Sequence, residues 1–419
     1  MQHLVGGVSS AGRALPAFNG EEFRVTKAKG AYLWDANGNR FVDTALGFGA
    51  VVVGHADDEI NERVLAAVGR GSMPAFAHDL EEEAAASLVK RTGALKKAVF
   101  VNTGSEAVHL ACRVARAVTG RKTIAKAAAG YDGWYDDVAY GNVSSAAAAM
   151  SSNLRPTRYN TTLFRYNDHH DIELLFEENK DIAAILIEPM LANSGCILAQ
   201  PGYLEHVAKV ARANGALVIM DEVLMGFRLH AGLSSHLMGI EPDLATVGKA
   251  IGNGFVVAAT LGRPEIMECL DGRGAVRAGT YNGNPVATAA VAATMARLDQ
   301  IDYGAMTKNG DRVREAAEAA FAERGTTICS SGYGTVFTFW AGNRPPQNYA
   351  DAAAIVDPAF TLSMHYGLRA ASAITMPLPF GRHYISHAHL GEATEMLIEA
   401  FKQAAKHSVA SQKKMATGT

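Results

Sequence analysis

An α/β architecture is what this sequence predicts: a large domain with a mainly parallel sheet between helices, and a smaller α+β domain drawn from both termini. Short apolar runs rich in β-branched residues alternate with longer helical patterns through the middle of the chain, as parallel strands covered by crossover helices do. At 419 residues the chain exceeds the roughly 250–300 at which single cores stop growing. From about Pro285 onward helical patterns dominate, with strand candidates between them.

In chain order, residues 31–34 and 40–42 flank a segment containing Asn37-Gly38, which reads as a hairpin turn in a layer separate from the parallel sheet. The clearest parallel-strand runs are 98–101, 182–187 and 216–220. Each is followed by polar or glycine-containing residues, and ligands of open α/β sheets collect where such strands end. Residues 105–118 carry an apolar stripe at Val108, Ala111, Cys112, Ala115 and Val118, with Ser105 as N-cap and Gly120 as terminator. Further helices are predicted over 286–298, 312–324 and 390–407, with a strand near 335–340 and a polar, alanine-rich, disordered tail over 408–419.

The composition is that of an ordinary globular protein, 48% hydrophobic and 19% charged, and a net charge of −3 gives no reason to expect a nucleic-acid partner. Cys112, Cys196, Cys269 and Cys329 are too far apart for a zinc knuckle or a thiol-exchange motif, which fits a reducing, cytoplasmic setting. The start, MQHLVGGVSSAGR, lacks a basic-then-apolar leader, and no run approaches the roughly 18 apolar residues of a membrane helix. We therefore expect neither a signal peptide nor a membrane span. The cluster 168–171, Asp-His-His-Asp, is a poor metal site, because adjacent strand histidines face opposite ways; a solvated loop explains it better.

Three segments carry chemistry. In VNTGSE, Gly104 admits a ligand close to the backbone, and the free amides of the helix start, at the positive end of its dipole, suit a phosphate; a capping turn without ligand has the same letters. In ALVIMDEV, Asp221 ends an apolar strand, where a carboxylate needs a cation such as a protonated pyridine nitrogen, or else caps the next turn. In PDLATVGKAIGNG, Lys249 lies among small, apolar residues and glycines that strip its hydration, lower its pKa and favour Schiff-base chemistry, unless it snorkels from a loop. Tyr131, in GYDGW, adds a flat ring. Together these make a phosphate cradle, a stacking face, a pyridinium partner and a nucleophilic amine, the parts of a pyridoxal 5'-phosphate site.

The motifs AYLWDANGNRFVD, NTGSEA, GYDGW, IEP, DEVLMGFR, PDLATVGKAIGNG and AGTYNGNP resemble those of the class III aminotransferases of fold type I. Within these the chain is similar to the branch holding glutamate-1-semialdehyde aminomutase and certain β-amino acid and D-phenylglycine aminotransferases. The resemblance runs from about Val5 to Phe401. It implies pyridoxal 5'-phosphate as cofactor, with its phosphate on Gly104 and Ser105 and, from the neighbouring subunit, Thr280. Tyr131 and Val223 would lie on the two faces of the ring, Asn193 at its hydroxyl, Asp221 at its nitrogen and Lys249 on its aldehyde carbon. It further implies a homodimer with shared sites, an N-terminal small-domain segment over 1–48, a large cofactor domain over 49–290 and a C-terminal small domain over 291–407.

For substrate, the resemblance points to Arg13 as a carboxylate clamp, against the alternative of a surface arginine, and to Phe48 as an aromatic wall. Two departures stand out. The aminomutase lid is replaced by a shorter, alanine-rich stretch after Gly141, with Asp132 where its preceding motif has histidine. A glutamate of its active-site segment is replaced in the stretch 378–384 by Arg382, a cation that favours a second carboxylate unless it lies on the surface. These departures favour an aminotransferase that passes an amino group from an amino acid to a keto acid. An aminomutase is the alternative, an amino acid racemase a more distant one. A ligand-sensing domain of a transcription regulator would need a basic DNA-binding appendage, for which the chain has no spare length.

Overall fold

The computed structural model describes residues 3–143, 157–272 and 274–417. The alanine-rich stretch lies outside the described residues from position 144 onward.

The N-terminal hairpin forms as the Asn-Gly turn predicts. Strands β1 (Val25–Lys29), β2 (Tyr32–Asp35) and β3 (Arg40–Asp43) pair antiparallel, and Asp35 accepts hydrogen bonds from the Asn37 and Asn39 amides at 2.9 and 2.8 Å. Gly38 takes the turn's left-handed position at φ 81°.

The central sheet has seven strands: β4 (Lys97–Val101), β5 (Thr123–Ala127), β6 (Thr161–Phe164), β7 (Ile182–Ile187), β10 (Leu217–Asp221), β11 (Leu244–Val247) and β12 (Ala258–Gly262). Between them in sequence, β8 (Met190–Leu191) and β9 (Ile197–Leu198) form a separate two-stranded ribbon. The spatial order is β4-β12-β11-β10-β7-β5-β6, and only β12 runs antiparallel to its neighbours. Strand β7, IAAILI, is buried at every position, as a strand covered on both faces must be. Strands β13 (Ile328–Tyr333), β14 (Val336–Ala341) and β16 (His383–Tyr384) make an antiparallel sheet, while β15 (Ala373–Ile374) pairs with β3 and joins the C-terminal part to the N-terminal hairpin.

Helix boundaries depart from the sequence reading at three places. The Gly104–Thr119 helix is capped by Thr103, not Ser105. Thr103 is extended, its hydroxyl accepts from the Glu106 amide, and the Glu106 carboxylate accepts from the Thr103 amide at 2.8 Å, a complete capping box. The 312–324 helix begins earlier and spans Tyr303–Ala322, because Gly310, which breaks the apolar pattern, marks a close approach: a Cβ there would sit 1.6 Å from the Gly334 carbonyl. The last helix runs Glu392–Thr417 in place of a disordered tail after His407; its residues include no glycine or proline to end it. The Asp168–Asp171 cluster is likewise no loop: Asp168 caps the His169–Glu178 helix through the Asp171 amide at 3.0 Å.

Candidate active site

The carboxyl ends of the parallel strands converge on a cavity of about 320 Å³, lined by Gly104, Ser105, Tyr131, Asn193, Asp221, Val223 and Lys249. These are the cofactor-binding residues expected from sequence within one chain, gathered from segments far apart in the chain.

Its floor at one end is the start of the Gly104–Thr119 helix. The capping box satisfies the amides of Asn102, Thr103 and Glu106. The Gly104 and Ser105 amides have no such partner among the described residues and sit at the positive end of a 16-residue helix, an arrangement suited to a phosphate. Gly104 is required by space: a Cβ there would meet Val223 Cγ1 at 2.8 Å.

At the other end Asp221 closes β10, buried. Its Oδ1 accepts from the Val223 amide at 2.9 Å and the Thr246 hydroxyl at 3.0 Å, which fixes the carboxylate and leaves Oδ2 without a donor among the described residues. Burial foremost, then the charge of Asp132, pushes its carboxyl above the usual range. Such a carboxylate is stabilised by a cation placed beside it.

Lys249 opens a short turn after β11, at φ +44°, a left-handed conformation that costs a non-glycine residue about 1 kcal/mol or more. Its amine makes no hydrogen bond or ion pair with any described residue. Burial pushes it well below the usual lysine range, Asp221 opposes that shift, and Arg382 adds to it. Desolvation thus outweighs the neighbouring carboxylate and brings the amine toward the range in which its nucleophilic, unprotonated form is populated near neutral pH. The donor set of the cavity, two free amides, a buried carboxylate and a buried amine, fits an anionic aldehyde with a basic ring nitrogen.

Sequence reasoning missed the acidic layer beneath the cavity. Glu188 is buried at the end of β7 and accepts from the Tyr131 amide at 2.9 Å. Asp132 pairs with Lys126 at 2.5 Å. The signal was a lysine in the otherwise apolar strand TIAKA and the glutamate of IEP, whose letters do not say that they meet.

The candidate substrate residues and Thr280 lie outside the lining of that cavity. Phe48 sits in a left-handed run, Leu46 to Gly49 at φ 42°, 60°, 58° and 79°, pinned by Asp43, which accepts from the Ala45 and Leu46 amides at 2.8 and 3.1 Å. The N-terminal segment rests on it, since a Cβ on Gly12 would be 3.1 Å from Phe48 Cζ; Arg13 next to it is exposed. Arg382 is buried, against the surface alternative, and donates to the Tyr384 hydroxyl at 2.8 Å and the Ala192 carbonyl at 3.3 Å. Thr280 is exposed, in a loop tied to the end of β4 by Asn102 Nδ2 donating to Asn282 at 2.9 Å.

Buried titratable groups give a pH prediction for the cofactor-free protein. Glu222, held by the Ser234 and Ser235 amides at 3.0 and 2.7 Å, is still pushed up to about 7 by burial, and burial also raises Glu188 and Asp221. A carboxyl raised on folding contributes stability below its unfolded pKa and loses it as pH climbs to the folded one. His383 and His389 act oppositely, lowered by burial to about 3 and 4, but they no longer titrate in either state above about pH 7. The melting temperature is therefore expected to fall from about pH 7 to 7.5, above the histidine range and before the lowered Lys249 amine titrates; thermal scans showing a flat or rising profile there would contradict the assignment.

A mainly parallel α/β sheet with a lysine, a carboxylate and a phosphate cradle around one cavity at its strand ends defines a fold type I pyridoxal-phosphate enzyme. The chain belongs to the class III aminotransferase family, whose pattern it matches over residues 17–325. It is 39% identical to a glutamate-1-semialdehyde 2,1-aminomutase of Methanocaldococcus jannaschii over 76% of each chain. It is 34% identical to that of Methanothrix thermoacetophila over 95% of this chain and 93% of the relative. Among solved structures, it superposes on a β-phenylalanine aminotransferase from Variovorax paradoxus with TM-score 0.84 and 28% identity, covering 98% of this chain and 91% of that one. No helix among the described residues is long and apolar enough to cross a membrane.

Proposed function

We propose that the chain shifts an amino group between neighbouring carbons of one carboxylate-bearing substrate, the 2,1-aminomutase reaction on glutamate-1-semialdehyde. The observation that carries this choice within the family is the likeness to aminomutases along almost the entire chain. It weighs against the preference for aminotransferase drawn from sequence alone. The second reading, transfer from an amino acid to a keto acid, keeps one specific support: Arg382, a buried cation whose field reaches Lys249, where the resembled aminomutases carry a glutamate.

In either case the chain's residues have the same tasks. The Gly104 and Ser105 amides bind the cofactor phosphate. Tyr131 and Val223, on the cavity lining, would hold the ring, and Asn193 would donate to its hydroxyl. Asp221 keeps a proton on the ring nitrogen, and the bound cofactor supplies an electron sink for charge developing on the substrate carbon. Lys249 would anchor the aldehyde carbon and, once substrate displaces it, the same amine would carry the proton between the substrate carbon and the cofactor carbon it had held. Arg13 grips a substrate carboxylate and Phe48 walls the substrate side.

The separating experiment is an assay of glutamate-1-semialdehyde with the cofactor-loaded protein, without and with 2-oxoglutarate or pyruvate. Isomerised product in the absence of any keto acid is expected. Turnover that requires stoichiometric keto acid would replace the aminomutase reading with the aminotransferase one. Deuterium exchange at the α carbon of an amino acid with neither outcome would point to a racemase.

A homodimer is part of the proposal. Val256, which lines the cavity, and Trp134 and Tyr281, which follow Gly133 of its wall and Thr280 in the chain, are 70%, 77% and 65% exposed, apolar surface that a second copy would cover. Sedimentation is expected to give a dimer, and the paired change Trp134→Glu with Tyr281→Glu to give monomers that bind pyridoxal 5'-phosphate at least about tenfold more weakly, a loss on the order of 1.4 kcal/mol. Fully active wild-type monomers would rule this out.

A further inference from the structure

Resting on the reading that the cavity takes pyridoxal 5'-phosphate, we propose that Lys126 is a positioning residue, acting through Gly130 and Asp132 to hold the 128–133 loop and so set the Tyr131 ring at the cavity wall. Lys126 lies in β5, a strand buried at every position, and is itself 0% exposed. An ammonium taken so far from water must be paired. Its partners are both in the loop that follows its own strand: Nζ donates to the Gly130 carbonyl at 3.2 Å and lies 2.5 Å from Asp132 Oδ2. Those contacts bracket Tyr131 on either side. Among the described residues Oδ2 has no other donor, so the ion pair with Lys126 is what holds it.

Tyr131 needs such anchoring. Its side chain makes no hydrogen bond with a described residue and is 42% exposed, so the ring goes where the backbone takes it. A third anchor comes from β7, where Glu188 Oε1 accepts from the Tyr131 amide at 2.9 Å. The loop fits closely at both ends. A Cβ on Gly130 would lie 3.2 Å from Asp132 Oδ2 and 3.3 Å from Glu188 Oε1, and one on Gly133, at φ +121°, would lie 2.8 Å from Ser105 Oγ. A shift of this loop therefore moves the ring and the wall against the phosphate cradle together.

Stability alone does not account for the pair. The cost of desolvating two buried charges offsets most of their attraction, and well-packed neutral side chains serve folding as well or better. What neutral side chains would not supply is a rigid, directional link from the sheet to the loop, with Asp132 on the cavity wall.

The test is a titration of the cofactor-free full chain with pyridoxal 5'-phosphate. It compares wild type with Lys126→Met, Asp132→Asn and the double variant, by affinity, by the circular dichroism induced in the cofactor's visible band, and by melting temperature. Lys126→Met strands the Asp132 charge and is expected to melt early. The double variant removes both charges and is expected to regain most of the melting temperature, while binding at least about tenfold more weakly with a changed or lost dichroic band. A folded double variant with wild-type affinity and dichroism overturns the proposal, as does affinity that recovers in step with melting temperature. Should the double variant not fold, Asp132→Asn decides by the same dichroism and affinity. If wild type itself takes up no cofactor, it is the reading of the cavity that fails.

Discussion

Replacement of Lys249 by alanine is expected to abolish turnover while leaving the protein folded. The residue is assigned both the anchoring of the cofactor and the movement of the substrate proton. A positioned acid–base group alone contributes roughly 10²- to 10⁴-fold. Losing both roles should lower kcat by at least about 10⁴, on the order of 5.5 kcal/mol of barrier. Folding should not suffer, because the amine is desolvated and has no partner among the described residues, so nothing is stranded when it goes. The left-handed backbone at this position, φ +44°, also persists only because its surroundings impose it, which fits a residue kept for chemistry and not for packing. Single-turnover assays with melting curves check both halves. Residual activity within about tenfold of wild type would remove Lys249 from the chemistry.

The second large effect is expected at Asp221. Asparagine keeps the shape and can still accept from the Val223 amide and the Thr246 hydroxyl, contacts of 2.9 and 3.0 Å in the wild type. Only the charge is lost, and with it the partner of the protonated ring nitrogen. The expected cost is about 10² to 10³ in kcat, the scale for removing one fixed electrostatic contact from a water-poor site. Stability should hold or rise, since burial already disfavours this carboxylate when no cation accompanies it. A reactivation of the variant by a cofactor analogue with a permanently charged ring nitrogen would localise the effect to that atom. An unchanged kcat would place Asp221 among structural caps.

The cofactor pocket was legible because its parts are local signals at the ends of elements. Asp221 ends an apolar strand, Gly104 sits between a strand and a helix, and Lys249 is surrounded by small residues; each can be read within about a dozen neighbours. The fold class followed from the same alternation of runs. What was not legible depends on partners far away in sequence. Glu188 becomes part of the site only because β7 ends beside the loop that carries Tyr131, and Lys126 only because that loop doubles back over its own strand. Arg382 reads as a coin toss between surface and site until Tyr384 and Ala192 are seen to bury it. Ser105 reads as the cap only if the T-x-x-E box from Thr103 to Glu106 is left out of account, and Gly310 hides a helix start because glycine's use there, contact with Gly334, is tertiary.

Within the family, the features that favour intermolecular transfer are two local departures, the altered lid segment with Asp132 before it and the cation Arg382. Likeness to aminomutases over 95% of the length, at 34% identity, draws on many positions at once and supports the proposed reading.

The central claim, that Lys249 carries the cofactor, has one direct measurement. The protein is incubated with pyridoxal 5'-phosphate, reduced with borohydride, digested and sequenced by mass spectrometry. A single pyridoxyl group on the peptide containing Lys249 is predicted. A label confined to another lysine, such as Lys126, or no stable label at all, would contradict it.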